Sequence, residues 1–129
     1  MVLYETLGTP WNCDSNFVLA LEIFFFIEFS HIGCFKDRHV DRAIKSLESE
    51  CDILKGRGQH RDSAIDKCYH CAKKRGYTLF AVQDDGDCHA DSVGDYNKHG
   101  KSNKCAGKGR GGVYSNDVYR INGKLSSFF

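Results

Sequence analysis

The chain has 129 residues, of which 41% are hydrophobic, and 18 basic against 17 acidic side chains give it a formal net charge of +1. This length predicts a single domain. The charge excludes the dense basic surface of a duplex-binding protein, and we expect no nucleic-acid partner. All 18 Lys and Arg follow residue 30, so residues 31–129 carry a net charge of +5. That excess allows a weak preference for acidic glycans, although a solvated surface is the simpler interpretation.

Residues 1–30 differ in composition from the rest of the chain. They lack Lys, Arg and His and contain an apolar run at residues 17–29, which Glu22 and Glu28 interrupt. The run is too short and too charged for a stable membrane span. Its length suits a secretory signal, but a basic start and a small-residue cleavage site are missing. We interpret residues 1–30 as an atypical signal-like or poorly ordered segment; a spurious reading-frame extension or a real buried element are the alternatives.

The clearest element signal is a helix in the middle of the chain. Asp62 or Ser63 is a suitable N-cap, apolar residues follow at helical spacing, and Gly76 ends the pattern. Aromatic and β-branched residues at 77–82 predict a strand directly after it. Shorter strands are predicted at residues 32–35 and 118–121, with a long Gly- and Lys-rich loop at 91–112 between the later elements.

Several segments together resemble the WSC domain, and more closely a WSC-like repeat of extracellular proteins from marine invertebrates. The matching segments, in order, are residues 33–37 (GCFKD), 42–44 (RAI), 67–68 (KC), 75–83 (RGYTLFAVQ), 96–105 (YNKHGKSNKC) and 111–119 (GGVYSNDVY). The resemblance implies a WSC-like domain at residues 31–121 and a tail at 122–129. It also implies a secreted or cell-surface location, a helix packed on a sheet, and carbohydrate binding. Two family cysteines are missing, after Cys88 and at Gly111–Gly112, so no glycan site is transferred residue by residue.

Six of the seven cysteines form a compact framework within that domain; they are Cys34, Cys51, Cys68, Cys71, Cys88 and Cys105. A domain this small buries too little core to be stable by itself, and disulfides are the usual remedy in oxidising compartments. Six cysteines allow 15 pairings. We favour Cys68 with Cys88 and Cys34 with Cys105, which leaves Cys51 with Cys71. The odd cysteine, Cys13, lies in the N-terminal segment.

Two metal sites are weighed against simpler interpretations. The spacing of Cys68, His70 and Cys71, with Cys88 and His89 as further ligands, suits zinc and would indicate an intracellular protein. Three framework cysteines would then have no role, so we rank zinc below disulfides. The second hypothesis is a calcium site at the acidic cluster formed by Asp84, Asp85, Asp87 and Asp91. A solvated turn is the preferred interpretation of that cluster, and we expect no required cofactor.

Polar and aromatic residues around the long loop suggest a sugar-binding surface. Aromatic rings can stack on sugar C–H groups while amides bind hydroxyls. The candidate residues are Tyr96, Asn97, Asn103 and Asn116. Tyr114 and Tyr119 are further aromatic candidates, although both are better explained as core residues of the closing strand.

The sequence therefore predicts an α+β fold: a small disulfide-stabilised domain with one main helix packed on a short antiparallel sheet. We expect a non-catalytic extracellular module whose partners are glycans or extracellular proteins. No arrangement of residues typical of a catalytic site stands out. A structural or protein-binding domain of the extracellular matrix is the alternative, and an intracellular zinc-binding domain is the third.

Overall fold

The computed structural model describes residues 28–92 and 94–123. This part of the chain contains four strands, one α-helix and a short 3-10 turn. In chain order they are β1 (Phe29–Lys36), the 3-10 turn (Asp52–Leu54), α1 (Ala64–Lys74), β2 (Leu79–Gln83), β3 (Asp87–Asp91) and β4 (Ser115–Ile121). Phe29–Asn122 forms a compact unit of its own. The predicted signal-like segment up to residue 27, with Cys13, and the predicted tail beyond Gly123 lie outside the described residues.

The four strands form one antiparallel sheet in the order β1-β4-β2-β3. The last strand along the chain, β4, therefore lies between β1 and β2. Every residue of β2 is buried, because the strand has neighbours on both sides and is covered on both faces. The predicted fold class, a small disulfide-rich α+β domain, is confirmed.

One face of the sheet packs against α1. The helix ends where Gly76 adopts a φ of 84° and the amide of Tyr77 donates to the carbonyl of Ala72, as the sequence predicts. Its buried side chains meet an aromatic cluster in which the rings of Phe80 and Tyr119 stack at 4.8 Å. The ring of Phe29 meets that of Phe80 edge-on. Aromatic contacts of this kind add to the free energy gained from burial alone.

Loops cover the opposite face of the sheet. A second apolar cluster lies there, formed by Phe35, Ala43, Ile44, Leu79, Ala81 and Val118. Loop segments on either side of the sheet also form hydrogen bonds with backbone groups of its two edge strands. The carbonyl of Cys88 in β3 accepts from the amide of Leu47, and the carbonyl of Cys34 in β1 accepts from the amide of Ser102. Neither covered edge is open for strand addition at these positions.

Three disulfides tie these layers together. Cys68–Cys88 joins α1 to β3, Cys51–Cys71 joins α1 to the segment before it, and Cys34–Cys105 joins β1 to the long loop. Cys68 and Cys88 are fully buried. The cross-links therefore fix the helix on the sheet and the loop on the strand edge.

The strand boundaries differ from the sequence prediction at three places. β1 begins at Phe29 and not at residue 32, because the Phe29 ring packs into the aromatic cluster. β2 begins at Leu79, two residues after the predicted Tyr77, because pairing with β3 and β4 starts only at Leu79. β4 begins at Ser115, three residues before the predicted Val118, since its polar start pairs with both β1 and β2.

Candidate functional site

A shallow groove of about 380 Å³ lies beside the C-terminal end of β1. We call it the Tyr114 groove. Its lining residues are Lys36, Asp37, Ser102, Asn103, Lys104, Val113, Tyr114 and Ser115. Three separate segments of the chain therefore build it: the end of β1, the long loop, and the turn that leads into β4.

The long loop is held against β1 by backbone and covalent bonds. The amide of Lys36 donates to the carbonyl of Gly100 at 2.9 Å, and the amide of Ser102 donates to the carbonyl of Cys34 at 3.1 Å. The disulfide Cys34–Cys105 closes the same region. This wall of the groove is therefore fixed although it has no regular secondary structure.

The opposite wall is a tight turn that carries two exposed side chains. Gly112 and Ser115 exchange both backbone hydrogen bonds at 3.0 Å, so Val113 and Tyr114 form the two-residue loop of a hairpin. Val113 is 63% exposed and Tyr114 is 50% exposed. A Cβ atom on Gly111, just before the turn, would collide with the backbone of Val82, so the close approach requires glycine.

Tyr114 has a strained backbone. Its φ is 47°, in the left-handed region that bulky residues rarely adopt. The carbonyl of Tyr114 accepts a hydrogen bond of 2.9 Å from the amide of Asp37, which helps to hold this conformation. Strain of this kind costs on the order of 1–3 kcal/mol and is concentrated at binding and catalytic sites. The turn thus presents an aromatic ring to solvent at a cost in stability.

The floor of the groove borders a buried polar network around Asp37, whose side chain is fully buried. One carboxylate oxygen accepts from Arg42 at 2.6 Å and from Gln83 at 2.8 Å, and the other accepts from the amide of Ala43 at 2.8 Å. Burial by itself would raise the pKa of Asp37. The hydrogen bonds from Ala43, Arg42 and Gln83 outweigh this effect and hold the pKa below its usual value.

The electrostatic character of the groove follows from this pairing. Asp37 is the only acid that lines it, and its charge is neutralised by Arg42. Lys36 and Lys104 are exposed, and within the described residues neither has a carboxylate partner within 4.0 Å. The exposed charge of the Tyr114 groove is therefore positive.

The residues predicted for sugar binding lie in different places. Asn103 lines the Tyr114 groove, and Asn97 is exposed. Tyr96 is half-buried, with its ring edge-on to Phe35 at 5.0 Å. The prediction that Asn116 belongs to an exposed sugar-binding surface needs correction. Asn116 is fully buried in β4, where its side-chain carbonyl accepts a hydrogen bond from Gln83.

Tyr114 and Tyr119, the two tyrosines near the closing strand, differ in burial. Tyr119 is buried and its hydroxyl donates to the carbonyl of Gly109 at 2.6 Å, in agreement with a core position. Tyr114 is not a core residue, because it precedes β4 and occupies the turn. Sequence reasoning did not identify Val113, Lys36 or Lys104 as site residues. The Gly111–Gly112 pair is the one sequence signal that marks this turn.

The acidic cluster at residues 84–91 is engaged in other contacts. Asp85 pairs with Arg110 and His60, and these hydrogen bonds lower its pKa. Asp87 is half-buried, and burial together with the neighbouring Glu48 raises its pKa. Among residues 28–92 and 94–123, no three His, Cys, Asp or Glu side chains converge as a metal site would require.

The proposed zinc ligands are also occupied. The sulfurs of Cys68, Cys71 and Cys88 are in disulfide bonds, whereas zinc binds the thiolate form. His89 is buried on the loop-covered face with Nδ1 3.2 Å from the carbonyl of Ile44. The zinc interpretation is thereby left without its sulfur ligands.

Comparisons with known proteins add no family assignment: no protein-family model matches the chain, and no curated protein is significantly similar to it. Within the described residues, the only α-helix is far too short and polar to cross a membrane. The disulfide-rich construction itself is typical of small domains from extracellular proteins.

Proposed function

We propose that this chain is a non-catalytic extracellular module that binds carbohydrate in the Tyr114 groove. The observation that carries the proposal is the exposed side chain of Tyr114, on a left-handed backbone, which lines the same groove as the exposed side chain of Asn103. An aromatic face and an amide in one groove suit a sugar, which offers C–H groups on one face and hydroxyls at its edge.

Two further observations support an extracellular binding module. Three disulfides in a domain of this size are typical of oxidising compartments. The ordered segments that resemble a WSC-like repeat imply the same location and carbohydrate binding. The proposal therefore combines an observed covalent framework with a sequence resemblance.

The location is tested by the intact mass of the chain secreted from eukaryotic cells and alkylated before and after reduction. We expect no alkylation of the six framework cysteines before reduction and alkylation of all six after it. Loss of the first residues would identify a cleaved signal segment. Free framework thiols together with failure of secretion would overturn the extracellular assignment.

Carbohydrate binding is tested by a glycan array read with calcium and with a chelator, using the wild type and three variants of Tyr114. Tyr114→Ala removes the ring, and Tyr114→Phe keeps it as the matched control. Tyr114→Gly removes the ring and also relieves the left-handed strain, so this variant stays folded. We expect binding by the wild type and the Phe variant and a two- to tenfold loss in the Ala and Gly variants, since aromatic stacking is worth about 0.5–1.5 kcal/mol.

Equal binding by all four proteins would remove Tyr114 from the site. Failure of the folded wild type to bind any glycan would overturn the proposed function.

The exposed apolar side chains of Val113 and Val40, which are 63% and 90% exposed, favour a protein-binding matrix domain as the second candidate. Chelator sensitivity would separately indicate a calcium requirement.

A further inference from the structure

Building on the proposed function, we infer that the glycan bound in the Tyr114 groove is anionic, with its sulfate or carboxylate groups held by Lys36 and Lys104. Both ammonium groups belong to the residues that line the groove, and both lack an ion-pair partner among the described residues. The sulfate or carboxylate groups of an acidic sugar would pair with these two ammonium groups, while the sugar ring stacks on Tyr114.

These two lysines are distinctive because they share one groove that is lined by no exposed acid. Several other basic side chains of the described chain have carboxylate partners: Arg42, Arg61, Arg75, Lys98 and Arg110. Two further grooves, of about 410 and 350 Å³, contain both acids and bases, with Glu50 and Asp52 lining each of them. The Tyr114 groove has no exposed acid to offset its lysines.

The sequence around the groove extends the same charge pattern. Residues 96–116 contain no Asp or Glu, and they carry four lysines and one arginine. Lys98 and Arg110 are paired with Asp41 and Asp85, so Lys101 and Lys108 are the residues of this segment that add positive charge beyond the two groove lysines. Charge complementarity therefore selects an acidic occupant.

The backbone around the groove favours a glycan over an acidic peptide. A peptide that adds to a sheet needs a free strand edge, but the β1 edge at Cys34 and Lys36 is already hydrogen-bonded to residues 100–102. A helical peptide needs a long apolar groove, whereas the exposed apolar surface here consists of Val113 and the ring of Tyr114. A sugar needs only one ring face, an amide and the cations.

The experiment measures affinity of the full oxidised chain for immobilised polymers of defined chemistry. Heparin carries sulfates and carboxylates, hyaluronan carries carboxylates only, a neutral β-glucan carries neither, and polyglutamate is an acidic chain without sugar. The test variant is Lys36→Gln with Lys104→Gln. The matched control is Lys55→Gln with Lys74→Gln, which removes the same charge from two exposed lysines that line the two other grooves.

We expect the wild type to prefer an anionic glycan over the β-glucan and over polyglutamate. The test variant should bind the anionic glycan about tenfold more weakly, as expected for loss of charge-assisted contacts, and the control should bind like the wild type. Binding should weaken as NaCl is raised. Preference for heparin identifies sulfate, and equal binding to hyaluronan identifies carboxylate as sufficient.

Three outcomes would overturn the inference while leaving carbohydrate binding intact: equal affinity for the neutral β-glucan, equal loss in the control, or no loss in the test variant. Lysine-dependent binding to polyglutamate at equal strength would overturn the choice of a glycan. Absence of binding to every sugar polymer would instead overturn the proposed function itself.

Discussion

His89 is a buried histidine on the loop-covered face, and its environment couples stability to pH. Burial disfavours the charged imidazolium, and the nearby Arg42 adds repulsion, so the pKa of His89 lies below 6.5. Asp37 and Glu48 oppose this shift without reversing it. Since the carbonyl of Ile44 can only accept a hydrogen bond, Nδ1 of His89 must donate in the neutral ring.

We predict that the free energy of unfolding falls as the pH falls below about 6.5. At such a pH His89 becomes protonated in the unfolded chain while it stays neutral in the native protein. The slope is at most about 1.4 kcal/mol per pH unit for one such group. His89→Asn retains a donor and cannot titrate, so urea unfolding between pH 6.5 and 4.5 should show a shallower slope in that variant.

His70→Asn is the matched control for this pH dependence, because His70 is exposed on α1. The slope should be the same in this variant as in the wild type. A wild-type slope that survives in His89→Asn would assign the pH dependence to another group. A further loss begins below about pH 4.5 for Glu48 and below about pH 3.8 for Asp37, since the native pKa of each lies below its usual value.

At the scale of the elements, the disulfides differ in the length of chain that they close. Cys34–Cys105 spans 71 residues and Cys51–Cys71 spans 20. Replacing the first pair with Ala is expected to lower the free energy of unfolding by about 4 kcal/mol, and replacing the second pair by about 3 kcal/mol, on a chain-entropy argument. Urea unfolding at fixed pH measures both values.

The same two variants should differ in binding. Loss of Cys34–Cys105 frees the loop wall of the Tyr114 groove, so the glycan affinity that we propose should fall in the protein that remains folded. Loss of Cys51–Cys71 leaves that wall in place and serves as the control. Equal affinities in the two folded variants would show that the disulfide does not position the groove.

Local signals sufficed for some of these elements and failed for others. The helix was predictable because the spacing of its apolar residues and the stop at Gly76 act over a few residues, although Ser63 at the predicted N-cap makes no side-chain capping hydrogen bond. The disulfide-bonded α+β class followed from cysteine content and size. The burial of Asn116 was not predictable, since its neighbours in sequence are polar and its hydrogen-bond partner Gln83 is 33 residues away and directly opposite in the sheet register.

The Tyr114 groove could be predicted only in part, because it too is formed by residues that are distant from one another in the sequence. Asn103 was identified from its residue type, but the three segments that line the groove are brought together by strand pairing and by Cys34–Cys105. The exposure of Tyr114 depends on where β4 begins. A boundary shift of a few residues turns a predicted core tyrosine into a surface one.

At the scale of the whole molecule, the disulfides account for stability comparable to that of the fold. Three cross-links worth about 3–4 kcal/mol each on the chain-entropy argument match the total stability of a typical domain, about 5–15 kcal/mol. We therefore predict that reduction and alkylation unfold the chain at 25 °C, with loss of its far-UV circular dichroism. The oxidised chain treated with the alkylating agent alone should keep its spectrum. A reduced chain with a native spectrum would contradict this prediction.

The position of β4 between β1 and β2 has a consequence for the timing of biosynthesis. Lys36 pairs with Ser115, so β1 has no strand partner until about 80 further residues have been translated. At 5–20 residues per second this delay lasts about 4–16 s. The helix, β2 and β3 and their two disulfides can assemble meanwhile, while Cys34 waits as a reactive thiol for Cys105. Any cross-link that Cys34 forms with another cysteine during those seconds must be exchanged before Cys34 can pair with Cys105.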